Sequence, residues 1–211
     1  MMSLFTILNS KIDILIIKYF FDEIQVSIYG IGSQLSFIVN IPFIVISSIL
    51  MPKIAALFKK DKIIQINLLC DFYRFVLLIL SVFTLFLLAL FYEKLLILFF
   101  NENYLESYIV FIIIASSYLI VSLFAFNELY LTYSGKEIKI AIFMFLSCLV
   151  NIFACLILVP NYGIIGAATA LSLSNIFFFI LVFILNKKNN YRFIYIIRIL
   201  FKNKFWLIKK L

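Results

Sequence analysis

The sequence is poor in the residues that most catalytic and metal sites need. It contains no histidine, only three cysteines, and charged residues at only 13% of its 211 positions. Without histidine the commonest proton carrier near neutral pH is missing, and a zinc site would need thiolates and carboxylates alone. Paired carboxylates with acid–base spacing and a nucleophile beside a base are also missing. We therefore predict that the chain is not an enzyme and holds no metal or cofactor.

The three cysteines do not indicate a disulfide framework. Cys70, Cys148 and Cys155 are odd in number and have no CxxC spacing, so the pattern indicates neither a disulfide scaffold nor a redox motif. Cys148 and Cys155 are interpreted as small apolar residues on one face of a helix.

Apolar residues are correspondingly abundant, at 66% of the chain. Soluble domains are about half apolar and about a quarter charged, so too few charges remain here to cover a water-soluble surface. Disordered chains have few aromatic residues, whereas this one has 26 Phe and 12 Tyr. The composition predicts a protein whose solvent is the lipid bilayer.

Windows of about 20 mostly apolar residues, the length of a membrane-spanning helix, occur six times. Several are apolar on every face, which disfavours the alternating strands of a β-barrel. We predict an all-α bundle of six transmembrane helices within residues 1–186, followed by a tail. The six windows are approximately 2–21, 28–50, 68–91, 108–131, 138–159 and 164–186.

The basic residues predict the orientation, because Lys and Arg near helix ends are retained on the cytoplasmic side. Fifteen of the 18 Lys and Arg residues fall in the second connection, the fourth connection and the tail, counting Arg74 with the second connection. Both termini are therefore predicted to be cytoplasmic. The tail, 187–211, is predicted to be a basic helix at the membrane surface, serving as an anchor or attracting anionic lipids. This topology explains the net charge of +8 without a nucleic-acid partner.

Ionisable residues inside a spanning helix are costly and usually face a cavity or a protein partner. Lys11 and Asp13 lie in the first window, where Asn9 and Asp13 share one helix face. Two residues apart, Lys11 and Asp13 point in different directions, so each is expected to interact elsewhere. The residues either line a substrate path or, if the span begins later, place Lys11 at the interface and Asp13 in structural hydrogen bonds.

The second window repeats this pattern. Tyr29, Ser33, Ser36, Asn40 and Ser47 fall near one face, and Pro42 interrupts the helical hydrogen bonds beside Asn40. This is typical of a kinked helix that faces a cavity, although small and hydroxyl residues also serve helix packing.

Three further sets of polar residues lie in the later windows. In the fifth and sixth, Ser147, Asn151, Thr169 and Ser172 are predicted to bond between helices. Glu128, near the predicted cytoplasmic end of the fourth window, either takes part in coupling or lies among lipid headgroups.

Three stretches of the chain carry motifs that occur together in one family of membrane transporters. The most specific is NIFACLILVPNYGIIGAATA at 151–170, where Pro160 and Gly163 are predicted to turn the chain and small residues allow close helix packing. The others are KIDILIIKYFFDEIQVSIYGIGSQL at 11–35 and the stretch 126–136, which ends in YSGK. Together they resemble the polysaccharide flippases, the Wzx-like branch of the multidrug/oligosaccharidyl-lipid/polysaccharide transporter superfamily. The stretch 11–35 is similar to the start of that family's second six-helix bundle, with Asp13 and Tyr29 at the matching positions, and 126–136 is similar to a later loop of that bundle.

The resemblance implies a translocase of lipid-linked oligosaccharide or polysaccharide units in a bacterial plasma membrane, working by alternating access. It implies that Lys11 contacts the pyrophosphate of the lipid carrier and that Asp13, Asn9, Tyr29 and Asn40 line the cavity. Family members have twelve or more helices in two bundles, so this chain matches only the second. The expected partner is an N-terminal bundle on another chain or a second copy, and a truncated gene product is the remaining explanation.

Two other functions stay open. One is a cation-coupled drug exporter of the same superfamily, and the other is a membrane scaffold that transports nothing.

Overall fold

The computed structural model describes the backbone of residues 2–186 and the side chains of residues 11–124 and 126–186. All regular structure in this part of the chain is helical, which confirms the predicted all-α class. The predicted tail, 187–211, lies outside the described residues. The helices are α1 (Met2–Phe20), α2 (Glu23–Phe37), α3 (Ile41–Lys59), α4 (Ile63–Phe99), α5 (Ser107–Tyr133) and α6 (Glu137–Leu185), with 3₁₀ turns at Ile38–Asn40 and Glu102–Tyr104.

The second predicted window is a single helical rod with an interruption. α2 and α3 are joined by the 3₁₀ turn Ile38–Asn40, and Pro42 lies in the first turn of α3. Proline is tolerated there because first-turn amides have no helical acceptor, whereas inside a helix it would remove a hydrogen bond. The predicted break in the regular helix beside Asn40 is confirmed.

α6 is a hairpin of two antiparallel arms, 137–162 and 164–185. Gly163 adopts φ 57° and ψ −136°, a conformation available essentially to glycine alone. Ser147 on the first arm donates a hydrogen bond to the carbonyl of Ser174 on the second at 2.7 Å. A straight helix would separate these residues by about 40 Å. The turn predicted at Gly163 is therefore confirmed.

Small residues bring the two arms of the hairpin together. A Cβ atom added at Gly166 would overlap the carbonyl oxygen of Leu158. Ala167, Ala168 and Ala170 on the same arm are fully buried. Close backbone approach through small residues is the usual way that helices pack in lipid, because apolar side chains gain little by leaving lipid for protein.

The six-helix arrangement places α5 in the middle, in contact with α2, α3, α4 and α6, while α1 packs mainly on α6. Three apolar clusters form the interior. One lies among α3, α4, α5 and α6, another among α1, α2, α5 and α6, and a third where α4 meets α5.

The outer surface of the bundle is strongly apolar. Large side chains on α4 such as Phe83, Phe86 and Leu90 are more than half exposed. α4 has 37 residues and is about 55 Å long, more than the roughly 30 Å of the hydrocarbon core. Within the described residues, four helical stretches are long and apolar enough to cross a membrane: 23–59, Ile63–Phe99, Ser107–Phe124 and Glu137–Leu185.

These features fit a membrane-embedded protein, while the count of six spans stays a prediction. The first predicted span, 2–21, is not among the four stretches, and the fifth and sixth predicted spans are the two arms of α6.

The two ends of the bundle differ in charge. At one end, the connections after α3 and α5 lie together, since the Phe58 ring stacks on Tyr133. We call it the basic end because Lys59, Lys60, Lys62, Lys136 and Lys139 are exposed there, with Asp61 and Glu137 as the acidic residues of these connections. At the other, acidic end, the connection after α1, the loop before α5 and the Gly163 turn surround an open depression of about 440 Å³. Asp22, Glu23, Glu102 and Glu106 are exposed in these connections.

Candidate functional site

Asp13 and Lys11 occupy opposite sides of α1. The Asp13 side chain is 1% exposed, whereas Lys11 lies on the exposed surface of the bundle. Helical geometry requires this divergence, since residues two apart are separated by about 200° around the axis. The prediction that they do not pair with each other is confirmed.

Asp13 is held by three side chains from two other helices. Tyr29 Oη on α2 donates a hydrogen bond to Asp13 Oδ2 at 2.8 Å. Asn151 Nδ2 on the first arm of α6 donates to Asp13 Oδ1 at 2.7 Å, and Cys155 Sγ lies 3.5 Å from the same oxygen. We call these four residues the Asp13 cluster. The sequence analysis named Asp13 and Tyr29 as residues that line a cavity, and here they contact each other in the buried interior. It assigned Asn151 to bonding between helices and interpreted Cys155 as a small apolar residue.

The local sequence explains why these groups meet. Asn151 and Cys155 are four residues apart, so both face α1 from successive turns of one helix. Ile17 follows Asp13 by one turn, and Ile28 precedes Tyr29. Both isoleucines are buried in the apolar cluster that surrounds the polar one.

The Asp13 cluster holds the Asp13 carboxylate in the closed interior of the bundle. Asp13, Tyr29, Asn151 and Cys155 are each at most 1% exposed. A carboxylate in an apolar interior is costly unless hydrogen-bond donors replace its water shell, and three donors converge on this one. The cluster therefore fixes α1, α2 and α6 relative to one another, and in this conformation the group open to a ligand is Lys11.

The other predicted site residues lie apart from this cluster. Asn40 is half-buried in the 3₁₀ turn between α2 and α3. The side chain of Asn9 lies outside the described residues. Glu128 is half-buried on α5, and its carbonyl accepts a hydrogen bond from the Thr132 hydroxyl.

A second buried polar cluster was missed by the sequence analysis. Arg74 Nη1 donates to Asp71 Oδ1 at 2.9 Å, and Arg74 Nη2 donates to Asn127 Oδ1 at 3.0 Å. Asn186 Nδ2 lies 3.3 Å from the same Asn127 oxygen. We call Asp71, Arg74, Asn127 and Asn186 the Arg74 cluster. It joins α4, α5 and the end of α6.

Arg74 is therefore not a helix-end charge, and its assignment to the second connection was wrong. α4 begins at Ile63, which places Arg74 about three turns inside the helix, at 6% exposure. The sequence does contain a pattern that indicates the pair of Asp71 and Arg74. Asp71 and Arg74 are three residues apart in the predicted window 68–91, the spacing of neighbours on a helix surface.

The prediction that hydroxyl residues bond between helices holds for Ser147 and Ser172 only. Ser172 Oγ reaches the carbonyl of Ile113 on α5 at 3.2 Å, and Ser147 joins the arms of α6. Thr169 instead bonds to Gly166 of its own helix. Ser33, Ser36 and Ser47 also donate to carbonyls three residues earlier, which satisfies each hydroxyl locally.

In the described part of the chain, no group of three or more Cys, Asp or Glu side chains is arranged to hold a metal ion. Comparisons with protein-family models, with curated proteins and with solved structures found no match to this chain.

Proposed function

We propose that this chain is one helical bundle of a membrane translocase for lipid-linked oligosaccharides, of the polysaccharide-flippase type. The proposal rests first on the sequence resemblance described above. In support of it, two features of the resembling stretches are structurally meaningful. Gly163 makes the hairpin turn, and Asp13 and Tyr29 contact each other across 16 residues.

The observation that carries the proposal is the exposed Lys11. It lies midway along α1, and Gln34 is exposed about a third of the way along the 23–59 rod. A charged side chain facing hydrocarbon costs at least about 2.5 kcal/mol, so such positions normally face protein or a water-filled cavity. By contrast, exposed positions in the middle of α4, such as Phe83 and Phe86, are apolar and suit lipid.

In the proposed mechanism, Lys11 and Gln34 line a cavity shared with a second helical bundle. That bundle belongs to another segment or chain, or to a second copy. Lys11 contacts the pyrophosphate, and the Asp13 cluster holds α1 so that Lys11 points into the cavity. The saccharide crosses as the two bundles rock against each other, while the polyprenyl tail remains in lipid. No covalent bond is made or broken.

The proposed orientation places the basic end and both termini in the cytoplasm, with six spans. The exposed lysines of the connections after α3 and α5 support it, because positive loops are retained on the cytoplasmic side. Single-cysteine variants at Lys60 and Glu102 in a cysteine-free background provide the test. In intact cells, a membrane-impermeant maleimide is expected to label the Glu102 variant and not the Lys60 variant.

The test of function uses cells that lack this chain and have lost surface glycan. Wild-type chain is expected to restore the glycan, and Lys11→Leu is expected to lower transport about tenfold, as loss of about 1.5 kcal/mol of charge-assisted contact predicts. Lys18→Leu is the matched control, because Lys18 is exposed on the same helix but lies beside Glu23 at its end. Glycan levels that do not depend on the chain would refute the proposal. Drug sensitivity with normal glycan would favour the drug exporter.

A further inference from the structure

The two connections at the basic end of the bundle are turns of the same kind. The backbone N–H of Lys62 donates to the carbonyl of Leu57 after α3, and that of Lys136 donates to the carbonyl of Leu131 after α5, both at 3.1 Å. In each turn the residue before the lysine has a positive φ. This pattern ends a helix within a few residues, so each lysine belongs to a short, hydrogen-bonded turn that leads directly into the next long helix.

The two turns form one surface. The Phe58 ring, near the end of α3, lies 5.3 Å from the Tyr130 ring and 6.2 Å from the Tyr133 ring of α5, centroid to centroid. We call residues 59–64 and 134–139 the twin-turn surface. A cluster of like charges on a surface creates a strong local potential that attracts ions of the opposite sign. The exposed charged residues of the twin-turn surface are Lys59, Lys60, Lys62, Lys136 and Lys139, with Asp61 and Glu137.

Exposed isoleucines lie directly beside these lysines. Ile63 and Ile64 follow Lys62 at the start of α4 and are 43% and 64% exposed, and Ile138, beside Lys139 at the start of α6, is 78% exposed. Lysine next to exposed large apolar side chains is typical of segments at the level of the lipid headgroups, where the ammonium meets phosphate and the apolar side chain enters the acyl layer. A water-soluble polyanion would use the charges and leave the isoleucines in water.

The described part of the chain does not supply enough negative charge to neutralise this surface. The ion pairs of the described residues, Lys18 with Glu23 and Arg74 with Asp71, lie elsewhere. Residues 187–211 contain eight Lys and Arg and no Asp or Glu, so their charge has the same sign as that of the surface. Charge complementarity therefore points to an anion from outside the chain, and the neighbouring isoleucines point to a lipid.

We propose that the twin-turn surface binds the headgroups of anionic phospholipids, with its lysines on the phosphates and its isoleucines in the adjoining part of the acyl layer. The bound lipids offset the repulsion among the lysines, and they hold the ends of α3 and α5 and the starts of α4 and α6 at the depth of the headgroups. This binding does not depend on any transported substrate.

Lipid selectivity of the full chain in phosphatidylcholine bilayers tests the proposal. Spin-labelled phosphatidylglycerol and spin-labelled phosphatidylcholine are compared by the fraction of each that the protein immobilises. Wild-type chain is expected to prefer phosphatidylglycerol severalfold, and the double variant Lys62→Gln, Lys136→Gln is expected to lower this preference by about twofold or more. The matched control Lys18→Gln, Lys94→Gln removes the same charge from exposed sites near the acidic end and should keep the preference. Equal preference in the two double variants would overturn the proposal.

Photocrosslinking separates a lipid from a soluble acidic partner. Phosphatidylglycerol that carries a photoreactive group close to its glycerol is expected to label residues 63–64 and 138 severalfold more than the matching phosphatidylcholine, as measured by mass spectrometry of the wild-type chain. Equal labelling of these residues by the two lipids would overturn the proposal and favour a soluble acidic partner for the lysines. Labelling by phosphatidylglycerol that occurs only within residues 187–211 would also overturn it.

Discussion

The two buried polar clusters satisfy a carboxylate in different ways. Asp13 is surrounded by neutral donors, a phenol, a carboxamide and a thiol, that come from two other helices. Asp71 has its counter-ion three residues away on the same helix, and the guanidinium then links to Asn127 on α5. Every hydrogen bond of the Asp13 cluster to Asp13 therefore depends on how the helices pack. The ion pair of the Arg74 cluster forms within a single helix.

The two arrangements predict different losses of stability when one residue of a cluster is replaced. Removing a neutral donor from Asp13 leaves the other donors in place, so the loss is limited to about one hydrogen bond. Removing Arg74 leaves a buried carboxylate without its compensating charge, which is among the costliest changes in a protein interior. Both clusters include residues of α6, so the hairpin positions both.

The largest effect is expected for Arg74→Met. It should lower the free energy of unfolding by about 3–5 kcal/mol, because Asp71 is left as an uncompensated buried charge. The free energy is measured by titrating the protein from mild detergent into sodium dodecyl sulfate. The double variant Asp71→Leu, Arg74→Met should recover most of the loss, and Lys94→Met, at an exposed site on the same helix, should change little. A double variant as unstable as the single one would contradict the role of the ion pair.

A smaller loss is expected for Asp13→Leu. The Tyr29 hydroxyl then loses its acceptor, which costs about 1–3 kcal/mol for a buried donor. Because the groups left behind are neutral, the same titration should show a smaller loss than Arg74→Met. A larger loss would show that the comparison between charged and neutral surroundings is wrong.

Gly166→Ala tests the hairpin that carries residues of both clusters. The added methyl group would overlap the Leu158 carbonyl oxygen, so the arms must separate, which costs about 1–3 kcal/mol. Gly30→Ala is the matched control, because a Cβ there meets nothing within 4 Å. It should be neutral or stabilising by up to about 1 kcal/mol, since alanine favours helix. Equal effects at the two glycines would contradict the close approach of the arms.

The smallest effect is expected for Tyr29→Phe. This variant removes one hydrogen bond and keeps the ring packing, so the free energy of unfolding should fall by about 1 kcal/mol. Tyr108→Phe, at an exposed site on α5, serves as the control and should fall by less. In a double-mutant cycle with Asp13→Leu, Tyr29→Phe should no longer destabilise the protein and should recover stability, because Asp13→Leu leaves the Tyr29 hydroxyl without its acceptor.

Prediction from sequence succeeded best for features within one helix or turn. The break beside Asn40 and the turn at Gly163 depend on proline and glycine, whose backbone restrictions act locally. The divergence of Lys11 and Asp13 follows from helical geometry alone. The boundaries were less accurate, since α4 extends well beyond the predicted window 68–91, because apolar content marks the lipid-facing part of a helix and not its ends.

Prediction was weakest for contacts between helices. Asn151 looked like an ordinary packing residue because its role depends on Asp13, which lies 138 residues earlier. Arg74 was counted as an interfacial cation because it lies near the start of the predicted window 68–91, and its partner Asn127 on α5 lies 53 residues later. Asn127 and Asn186 are joined across 59 residues, and no spacing in the sequence marks them as neighbours.

The sequence by itself determined the solvent, the helical class and the places where the chain turns. With 66% apolar residues, the backbone must satisfy its own hydrogen bonds in lipid, and a helix does so within one segment. Only the tertiary structure decided which polar residues meet. A helical pattern gives the face on which a residue lies but not the helix that this face contacts. In a bilayer, where most helix surfaces are equally apolar, close backbone packing and a few buried hydrogen bonds make that choice.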